Sequence, residues 1–288
     1  MGNDLVKRIR AIIAEHKTAS FAIVGGLGAF IGSVIGYQVG GDGNIIKIAV
    51  WDTFIGLGIG AAIAWTQSSY LRRTEVGTKE IIRMALRCAI GGAAGGVGLV
   101  IVARAFGGGW GAHVAGWTAE GLIMGGILAT VFPNLPRKFA FVAGALGGCI
   151  GAILGSLISP LIGMTVGVAM ADALKGVCLG IMLTVTEKIQ LSSEASLTVH
   201  WAKNETSKIL LGKEPIRVGS DPSCQIYLRK NLTPEIPIVA EIVLNGGKIV
   251  LHDKRNSQDT ELADGTAITV GGLRIQVRAA QAKRTKLL

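Results

Sequence analysis

The chain has 288 residues, of which 50% are hydrophobic and 42 are glycine, and its formal net charge is +10. A single water-soluble domain carries more charge and less glycine, so this composition excludes an ordinary soluble globular protein. The positive charge does not indicate nucleic-acid binding, because the lysines and arginines flank apolar segments, where they set membrane orientation and contact anionic lipid.

Two compositional regimes divide the chain. Charged residues are concentrated before Ser20, between Tyr70 and Arg87, and after Glu187, whereas the long stretches between them are apolar and rich in glycine. Such a split predicts two domains. We divide the chain into a basic amphipathic helix at 1–19, a transmembrane domain at 20–188, a linker at 189–194, a β domain at 195–279 and a basic tail at 280–288.

Six apolar segments lie in the transmembrane domain, and each is close to the ~20 residues that cross a hydrocarbon layer of ~30 Å. The segments are Phe21–Val39, Ile45–Trp65, Met84–Phe106, Gly111–Phe132, Phe139–Ile158 and Gly163–Val185. The predicted fold class is therefore an all-α membrane domain of six transmembrane helices, followed by a small C-terminal domain.

The breaks between these segments alternate in charge. Every second break carries basic residues, and the other breaks are short and nearly uncharged. The basic residues are Arg72, Arg73, Lys79, Arg83, Arg137 and Lys138. Because an excess of Lys and Arg marks the cytoplasmic side, we expect a multi-pass protein of the inner (plasma) membrane with both termini in the cytoplasm.

The segments also repeat as three glycine-rich hairpins. The first and third hairpins begin with similar sequences at Phe21 and Phe139, and the second helices align in a register that makes Asp52, Thr118 and Asp172 equivalent. The same register superimposes Gly60, Gly126 and Gly180. A triplicated hairpin predicts a pseudo-threefold bundle, and internal repeats are common in membrane transport folds.

Glycines four residues apart predict how the helices pack. The clearest series are Gly28, Gly32 and Gly36 in the first hairpin and Gly147, Gly151 and Gly155 in the third. Lipid gives helices no hydrophobic reason to associate, and small residues at this spacing let two backbones approach closely. The spacing predicts tight packing and leaves open whether the contacts are within one chain or between chains. We expect a homo-oligomer or a member of a membrane complex.

A polar centre is predicted near mid-depth in the second helices of the hairpins. Its members are Asp52, Thr118, Glu120, Asp172 and Lys175. A charge at the bilayer centre costs about 2.5–3.5 kcal/mol on insertion scales, so the charged members require partners or water. One interpretation is a pore or a proton or cation path. The other is structural, with Lys175 paired to Asp172 or Glu120 and the rest hydrogen-bonded.

After Gln190 the apolar pattern changes from that of helices to that of strands. Short stretches alternate in polarity or are rich in β-branched residues, and glycine turns separate them. The stretches are 197–201, 238–243, 248–252 and 273–277. This pattern is typical of an all-β sandwich.

Three motifs in this region carry a family resemblance. The sequence IRVGSDPSCQIYL at 216–228, the strand IVLHD at 249–253 and the segment DGTAITVGGLRI at 264–275 resemble a forkhead-associated (FHA) domain. The resemblance covers about 195–278 and none of the membrane block. It implies a β-sandwich that binds a protein partner through its loops, in most members a phosphothreonine peptide.

The chain departs from the FHA pattern at the residues that contact phosphate. Ser220 replaces the arginine after the strand glycine, 236–239 has no polar donor where the family has Ser-Arg-x-His, and 258–260 replaces the Asn-Gly-Thr turn. The donors that remain on the predicted loop face are Ser220, Arg229, Lys230, Ser257 and Thr260. Because a phosphate dianion needs charge-assisted donors, we expect phosphate-independent binding of a cytoplasmic protein.

The sequence contains no motif of a catalytic or cofactor site. The four cysteines form no CxxC pair, and no Walker loop, HExxH or GxSxG is present, so we expect no metal, no cofactor and no enzymatic activity. The predicted function is a membrane anchor or scaffold that presents an FHA-like module to a protein partner. The alternative is an ion or proton channel or transporter that the module regulates.

Overall fold

The computed structural model describes residues 16–40, 44–71, 77–162, 164–202, 205–229 and 236–280. The predicted helix at 1–19 and the predicted tail at 280–288 lie almost wholly outside these residues. Along the chain, two compact units are present. The helical unit comprises Met1–Ser69, Thr74–Phe132 and Pro136–Thr186, and the β unit comprises Tyr70–Arg73, Pro133–Leu135 and Glu187–Leu288.

Six α-helices precede the strands in the described part of the chain. They are α1 Lys17–Val39, α2 Ile45–Tyr70, α3 Gly77–Ala105, α4 Gly109–Leu128, α5 Arg137–Ile162 and α6 Met164–Ser193, with a short 3-10 helix at Ala129–Val131. Five of these helices are long and apolar enough to cross a membrane, namely all except α4. The composition of α4 explains the difference, because six glycines and the polar His113 and Glu120 lower its mean hydropathy.

Several helices extend beyond the apolar segments that predicted them. α3 begins at Gly77 rather than Met84, because Lys79, Glu80 and Arg83 in its first two turns lower the hydropathy but are good helix-forming residues. α6 continues to Ser193, so most of the predicted linker at 189–194 is helical. α5 passes through Pro160 to Ile162. A proline one turn from a helix end removes few backbone hydrogen bonds, so the sequence marked the end of the apolar stretch and not the end of the helix.

The helices form a closed ring of neighbours in which glycines make the contacts. Each helix packs on the next one, and α6 packs back on α1. The pairs of contacting residues are Gly28 with Gly58, Gly56 with Cys88, Gly95 with Glu120, Gly121 with Gly144, Gly147 with Leu179, and Gly176 with Gly25. A methyl group on Gly28, Gly56, Gly121 or Gly176 would overlap backbone of the neighbouring helix, and one on Gly147 would lie 3.0 Å from the Leu179 amide nitrogen. The absence of a side chain at these positions therefore sets the helix separation.

The glycine series predicted from the sequence face partners within the same chain. Gly28, Gly32 and Gly36 contact α2, and a methyl group on Gly36 would lie 2.6 Å from the carbonyl oxygen of Trp51. The third-hairpin series Gly147, Gly151 and Gly155 contacts α6. The question that the spacing left open therefore has an answer, because these contacts lie within one chain.

The β unit contains nine described strands in two sheets. They are β1 Ser196–Ala202, β2 Glu205–Leu210, β3 Ile216–Gly219, β4 Ile226–Tyr227, β5 Ile238–Asn245, β6 Lys248–Asp253, β7 Gln258–Leu262, β8 Ala267–Val270 and β9 Leu273–Arg278. One sheet has the order β2-β1-β9-β8 and the other has the order β4-β3-β5-β6-β7. All pairings are antiparallel except β3 with β4.

Alternating burial explains why these segments are strands. Leu197 and Val199 on β1 are fully buried, and they pair with Val277 and Ile275 on β9, which are also buried. Residues between them on each strand point to the opposite face, as the two-residue period of a strand requires. The periodicity that predicted a β domain is thus the periodicity of its core.

Two short segments from earlier in the chain belong to the β unit. The Ser207 hydroxyl donates to the backbone carbonyl of Tyr70 at 2.6 Å, and the Lys208 amide donates to the Tyr70 hydroxyl at 2.9 Å. The Asn134 side chain donates to the carbonyls of Leu210 and Glu214 at 3.1 and 3.2 Å. These bonds satisfy backbone groups at and beyond β2 that the sheet leaves free.

Candidate functional site

The centre of the helical unit is an ion-paired cluster around Lys175 on α6. Its Nζ lies 2.9 Å from Oε1 and 2.8 Å from Oε2 of Glu120 on α4, and 3.2 Å from Oδ1 of Asp172 one turn earlier on α6. The three residues are only 1–2% exposed. Burial of the Lys175 ammonium costs free energy, because the group loses its hydration. Close contacts with two carboxylates offset this cost.

Hydrogen bonds extend the cluster to two further helices. The Ser33 hydroxyl on α1 donates to Oδ2 of Asp172 at 2.7 Å, and the indole of Trp51 on α2 donates to the Ser33 oxygen at 3.2 Å. Both carboxylate oxygens of Asp172 thereby have partners. The sequence Trp51, Ser33, Asp172, Lys175 is a continuous polar connection through α2, α1 and α6.

An aromatic ring forms the apolar wall of the cluster. The Nζ of Lys175 lies 4.6 Å from the ring centroid of Trp117 on α4, which is close enough for a cation–π interaction. Trp117 packs on Ala152 and Ala171. The ring centroids of Trp117 and His113 are 4.9 Å apart. Trp117 therefore acts on the charge of Lys175 as well as filling space.

Asp52 on α2 is the remaining acid of the cluster. It is 5% exposed, and its Oδ2 has no hydrogen-bond partner among the described residues. Glu120, Lys175 and Asp172 are all close enough to interact with it electrostatically. The cluster thus combines three carboxylates with one ammonium group.

Glycines provide the space for these charged side chains. A methyl group on Gly95 of α3 would overlap the Glu120 side chain, and one on the adjacent Gly96 would lie 2.5 Å from Oδ2 of Asp52. On α5, a methyl group on Gly151 would lie 2.6 Å from the Cα atom of Lys175. Both α3 and α5 therefore contact the cluster through glycines, which have no side chain at these points.

Thr118 is the one predicted member that does not join the cluster. Its hydroxyl donates at 2.7 Å to the carbonyl of Val114 on its own helix, a common way for a membrane helix to satisfy a threonine. The structure therefore brings together Asp52, Glu120, Asp172 and Lys175 and leaves Thr118 outside.

The charged groups of the cluster are three carboxyl groups and one ammonium group. The described residues include no group of three or more His, Cys, Asp or Glu side chains placed to hold a metal ion. The four cysteines are free thiols. What the site offers is a buried ammonium, its two carboxylate partners and one further carboxyl oxygen without a donor.

The predicted loop face of the β unit lies at one end of its larger sheet. Gly219 pairs with Ile238, and Ala240 pairs with Asp253, so the residues after β3 and after β6 meet at the same end. Ser220, directly after β3, is buried, whereas the other described members of the loop face are exposed: Arg229, Ser257 and Thr260. Thr260 lies inside β7 and pairs with Leu251, so its prediction as a loop residue is wrong. Lys230 lies outside the described residues.

A charged turn occupies this end of the sheet. Arg255 donates to Asp253 from Nε at 3.1 Å and from Nη2 at 2.7 Å, and these bonds hold the pKa of Asp253 below its usual value. On the loop after β3, the hydroxyl and amide of Ser223 donate to Asp221 and lower its pKa. Each acid is thus stabilised as an anion by its own turn.

Sequence reasoning missed three contributors to these sites. Ser33 was not selected, although a single hydroxyl in the middle of an apolar helix is a signal for an interhelical hydrogen bond. Gly96 was not selected, although it follows Gly92 at the same four-residue spacing as the glycine series that were. Arg255 was not selected, and its signal was the spacing of two residues from Asp253 in a turn.

Two candidate sites are therefore present, one in each unit. The helical unit holds the Lys175 cluster, and the β unit holds the loop face with Arg229 and Ser257. Comparisons of the chain with protein-family models, with curated proteins and with solved structures find no match.

Proposed function

We propose that this protein is an integral membrane anchor that presents an FHA-like module to a protein partner at the cytoplasmic face. The observation that carries the proposal is the pairing within the helical unit, where Lys175 contacts Glu120 and Asp172 and the charges face one another. Buried charges that satisfy each other hold helices together without requiring a substrate. The β unit then remains as the part that is available for recognition.

The proposal includes six membrane crossings, with α4 as the fourth. Its support is the position of α4 in the ring, where Gly95 of α3 contacts Glu120 and Gly121 contacts Gly144 of α5. Because α4 packs between α3 and α5, we expect it to cross the membrane together with these two helices. With six crossings both ends of the block are on one side, whereas five would put them on opposite sides.

The proposed orientation has the β unit in the cytoplasm. The β unit takes in 70–73 and 133–135, which belong to the breaks that carry basic residues. The excess of positive charge beside these breaks favours the cytoplasmic side. We propose that this membrane is the inner (plasma) membrane.

The proposed helical unit is three copies of one hairpin. In the register of the sequence repeat, Trp51 corresponds to Ala171 and Ile55 to Lys175. Gly36 contacts Trp51 and Gly155 contacts Ala171, while Gly32 contacts Ile55 and Gly151 contacts Lys175. Counted from Phe21 and Phe139, the glycines of the third hairpin lie one residue later than those of the first. The support for a common origin is therefore the similar glycine packing of the two hairpins, with a one-residue shift between their first helices.

The proposed module is a sandwich of the two sheets that binds protein through its loop face without phosphate. Burial on alternate residues of β1 and β9 supports a shared core. The burial of Ser220 supports phosphate independence, because it removes one of the few donors on the loop face. Arg229 and Ser257 are exposed and available to a partner.

Cysteine labelling in whole cells tests the orientation. A chain whose four native cysteines are replaced receives one new cysteine, by Phe106→Cys, Lys138→Cys or Asn256→Cys, and is treated with a membrane-impermeant maleimide. We expect labelling of the first variant in intact cells and of the other two only after permeabilisation. Labelling of Asn256→Cys in intact cells would refute the cytoplasmic module, and labelling of Lys138→Cys would refute the crossing of α4.

Crosslinking of the full chain in its native membranes tests the module. We expect a protein that crosslinks to the wild type to be lost with Arg229→Gln at the loop face and retained with Lys248→Gln at the opposite end of the sheet. Equal capture by both variants would refute the loop face as the binding surface.

In lipid nanodiscs, a phosphothreonine peptide should bind no better than its threonine counterpart, and a strong preference for phosphate would overturn phosphate independence.

The oligomer is also part of the proposal, as a homo-oligomer or a membrane complex. Because the glycine series is used within the chain, we expect the subunit contacts to involve other surfaces. Native mass spectrometry of the membrane-extracted protein measures the subunit number, and a mass of one chain with no partner would refute this part.

The second candidate is a proton or cation path through the helical unit. The observation that favours it is Oδ2 of Asp52, which is buried and has no hydrogen-bond partner among the described residues. Flux into proteoliposomes tests it directly. A path lined by these acids predicts flux that is lost in Asp52→Asn combined with Asp172→Asn; unchanged flux refutes the acidic path, and no flux in the wild type refutes transport.

A further inference from the structure

The inference concerns Asp52, which the ion-pair network of the helical unit does not use. Lys175 directs its ammonium to Glu120 and to Asp172, and Asp172 receives a further bond from Ser33. Asp52 is 5% exposed and receives no hydrogen bond at Oδ2 within the described chain. A buried ionised carboxylate without donors is among the most costly arrangements in a protein interior.

The charges around Asp52 increase this cost. The groups that interact with it electrostatically are Glu120 on α4 and Asp172 and Lys175 on α6. With every acid ionised, these four side chains carry three negative charges and one positive charge. No residue of the neighbouring helix α3 is among these charged groups, and Gly92 and Gly96 of that helix contact Asp52.

The described residues offer no set of metal ligands beside Asp52. A methyl group on Gly96 would lie 2.5 Å from Oδ2 and 3.1 Å from Cβ of Asp52, so the backbone of α3 covers that side of the carboxyl. A sodium or calcium ion needs several oxygen ligands at once, and the described residues include no side-chain group placed to hold a metal. A proton is small enough to occupy the site and needs only one oxygen.

We propose that Asp52 is a proton-binding site, at which the carboxyl group carries an exchangeable proton on Oδ2 while Glu120 and Asp172 remain paired with Lys175. The protonated form removes one of the two uncompensated negative charges. It also gives Oδ2 a hydroxyl in place of a bare anionic oxygen. This inference does not depend on whether the helical unit conducts ions.

Release of that proton would change the pairing in the cluster. An ionised Asp52 adds a third carboxylate that competes for the single ammonium of Lys175. Glu120 is on α4 and Asp172 is on α6, whereas Asp52 is on α2. A change in the ion pairs of Lys175 therefore changes contacts of two helices other than α2. Occupancy of the site by a proton is thus linked to the contacts that hold the ring together.

Infrared difference spectroscopy of the full chain in lipid nanodiscs tests the proposal. We expect the carbonyl stretch of a protonated carboxyl group at neutral pH, shifted by exchange into D₂O and lost in Asp52→Asn. The matched control Asp264→Asn, which changes an exposed aspartate of the β unit, should leave the band unchanged. Absence of the band in the wild type, or its persistence unchanged in Asp52→Asn, would overturn the proposal.

A second measurement needs no substitution in the protein. Trp51-Asp52 is the only Trp-Asp sequence in the chain, so ¹³C-carbonyl tryptophan with ¹⁵N,¹³C-aspartate labels Asp52 selectively for solid-state NMR. We expect the carboxyl ¹³C shift of Asp52 to be that of a protonated acid at neutral pH. The shift of an ionised carboxylate would refute the proposal even if the Asp52→Asn variant did not fold.

Discussion

The Ser33 hydroxyl on α1 donates a 2.7 Å hydrogen bond to Oδ2 of Asp172 on α6, joining the first and last helices of the block through two fully buried groups. Among the residues that the structure describes, this is the hydrogen bond that connects the Lys175 ion pair to α1. It also fixes the carboxylate that Lys175 approaches from the other side. We therefore expect this single hydroxyl group to make a measurable contribution to the stability of the ring.

We predict that Ser33→Ala destabilises the protein by about 1–3 kcal/mol, because it leaves a buried carboxylate oxygen of Asp172 without its donor. Thermal unfolding in detergent measures the effect. Ser156→Ala is the matched control, since the Ser156 hydroxyl donates to Ala152 on its own helix. Equal melting temperatures for Ser33→Ala and the wild type would mean that the bond contributes nothing.

Loss of the ammonium should have the largest effect in the helical unit. Lys175→Met leaves Glu120 and Asp172 as buried carboxylates without a counter-charge, and we expect a cost of about 3–5 kcal/mol or failure to fold. The exposed Lys47 provides the control Lys47→Met, which should change stability little. The double change Lys175→Met with Glu120→Gln should recover part of the loss, and a double variant no more stable than Lys175→Met would contradict the ion pair.

A methyl group at a helix contact should separate two helices. In Gly28→Ala the new carbon would overlap the carbonyl oxygen of Gly58, so we expect a loss of about 1–3 kcal/mol. At Gly98 the nearest atom is Ile123 Cδ1 at 3.9 Å, so Gly98→Ala should be neutral or slightly stabilising. The measurement is the unfolding temperature of both variants, and a smaller loss at Gly28 than at Gly98 would argue against the packing.

Asn134 combines a backbone requirement with hydrogen bonds, and two substitutions separate them. Its φ is 58°, a conformation that glycine adopts freely and alanine does not. Asn134→Gly keeps the backbone and loses the bonds to Leu210 and Glu214, each contributing about 0.5–1.5 kcal/mol. Asn134→Ala loses the hydrogen bonds and also strains the backbone at positive φ, so it should be less stable than Asn134→Gly by roughly 1 kcal/mol. Protease sensitivity of the β unit in the full chain measures the difference, and equal sensitivity would remove the backbone contribution.

The turn that holds Asp253 should make a pH-dependent contribution. Arg255 lowers the pKa of Asp253 in the folded state, so its stabilisation is present above the unfolded value of about 3.9 and is lost as the pH falls through the folded pKa. The Arg255 side chain is 45% exposed and that of Asp253 is 16% exposed, so solvent screens the pair and we expect less than about 1 kcal/mol from Arg255→Gln at pH 7. The melting difference from the wild type should vanish at acidic pH, and a difference that grows on acidification would contradict the sign.

The sequence predicted the apolar helices because membrane solvation leaves a strong trace. The hydrocarbon core selects a fixed length of apolar residues, and this constraint located the five helices that are long and apolar enough to cross a membrane, near Phe21, Ile45, Met84, Phe139 and Gly163. It did not predict the ends of α3 and α6, because a helix continues into water wherever backbone bonding and helix-forming side chains permit. Hydropathy measures the lipid boundary and not the end of the hydrogen-bond ladder.

The pairing at Lys175 was one of two interpretations open from the sequence. Spacing placed Asp172 one turn from Lys175, which predicts proximity on a helix face. It did not identify Glu120 as the main partner, because that contact depends on how α4 and α6 rotate about their axes. Rotation is set by small residues such as Gly95 and Gly151, whose contacts only the folded chain reveals. For the same reason Ser33 went unnoticed.

The contacts of Tyr70 and Asn134 with the edge of β2 have a practical consequence for anyone who expresses the C-terminal region by itself. A fragment cut at Glu187 would omit both residues, leaving the Ser207 hydroxyl without its carbonyl acceptor and the Leu210 carbonyl without its amide donor. Such a truncation should be prone to aggregation and proteolysis. A recombinant version would fare better with synthetic peptides carrying Tyr70 and Asn134 supplied in trans, or grafted on through flexible tethers.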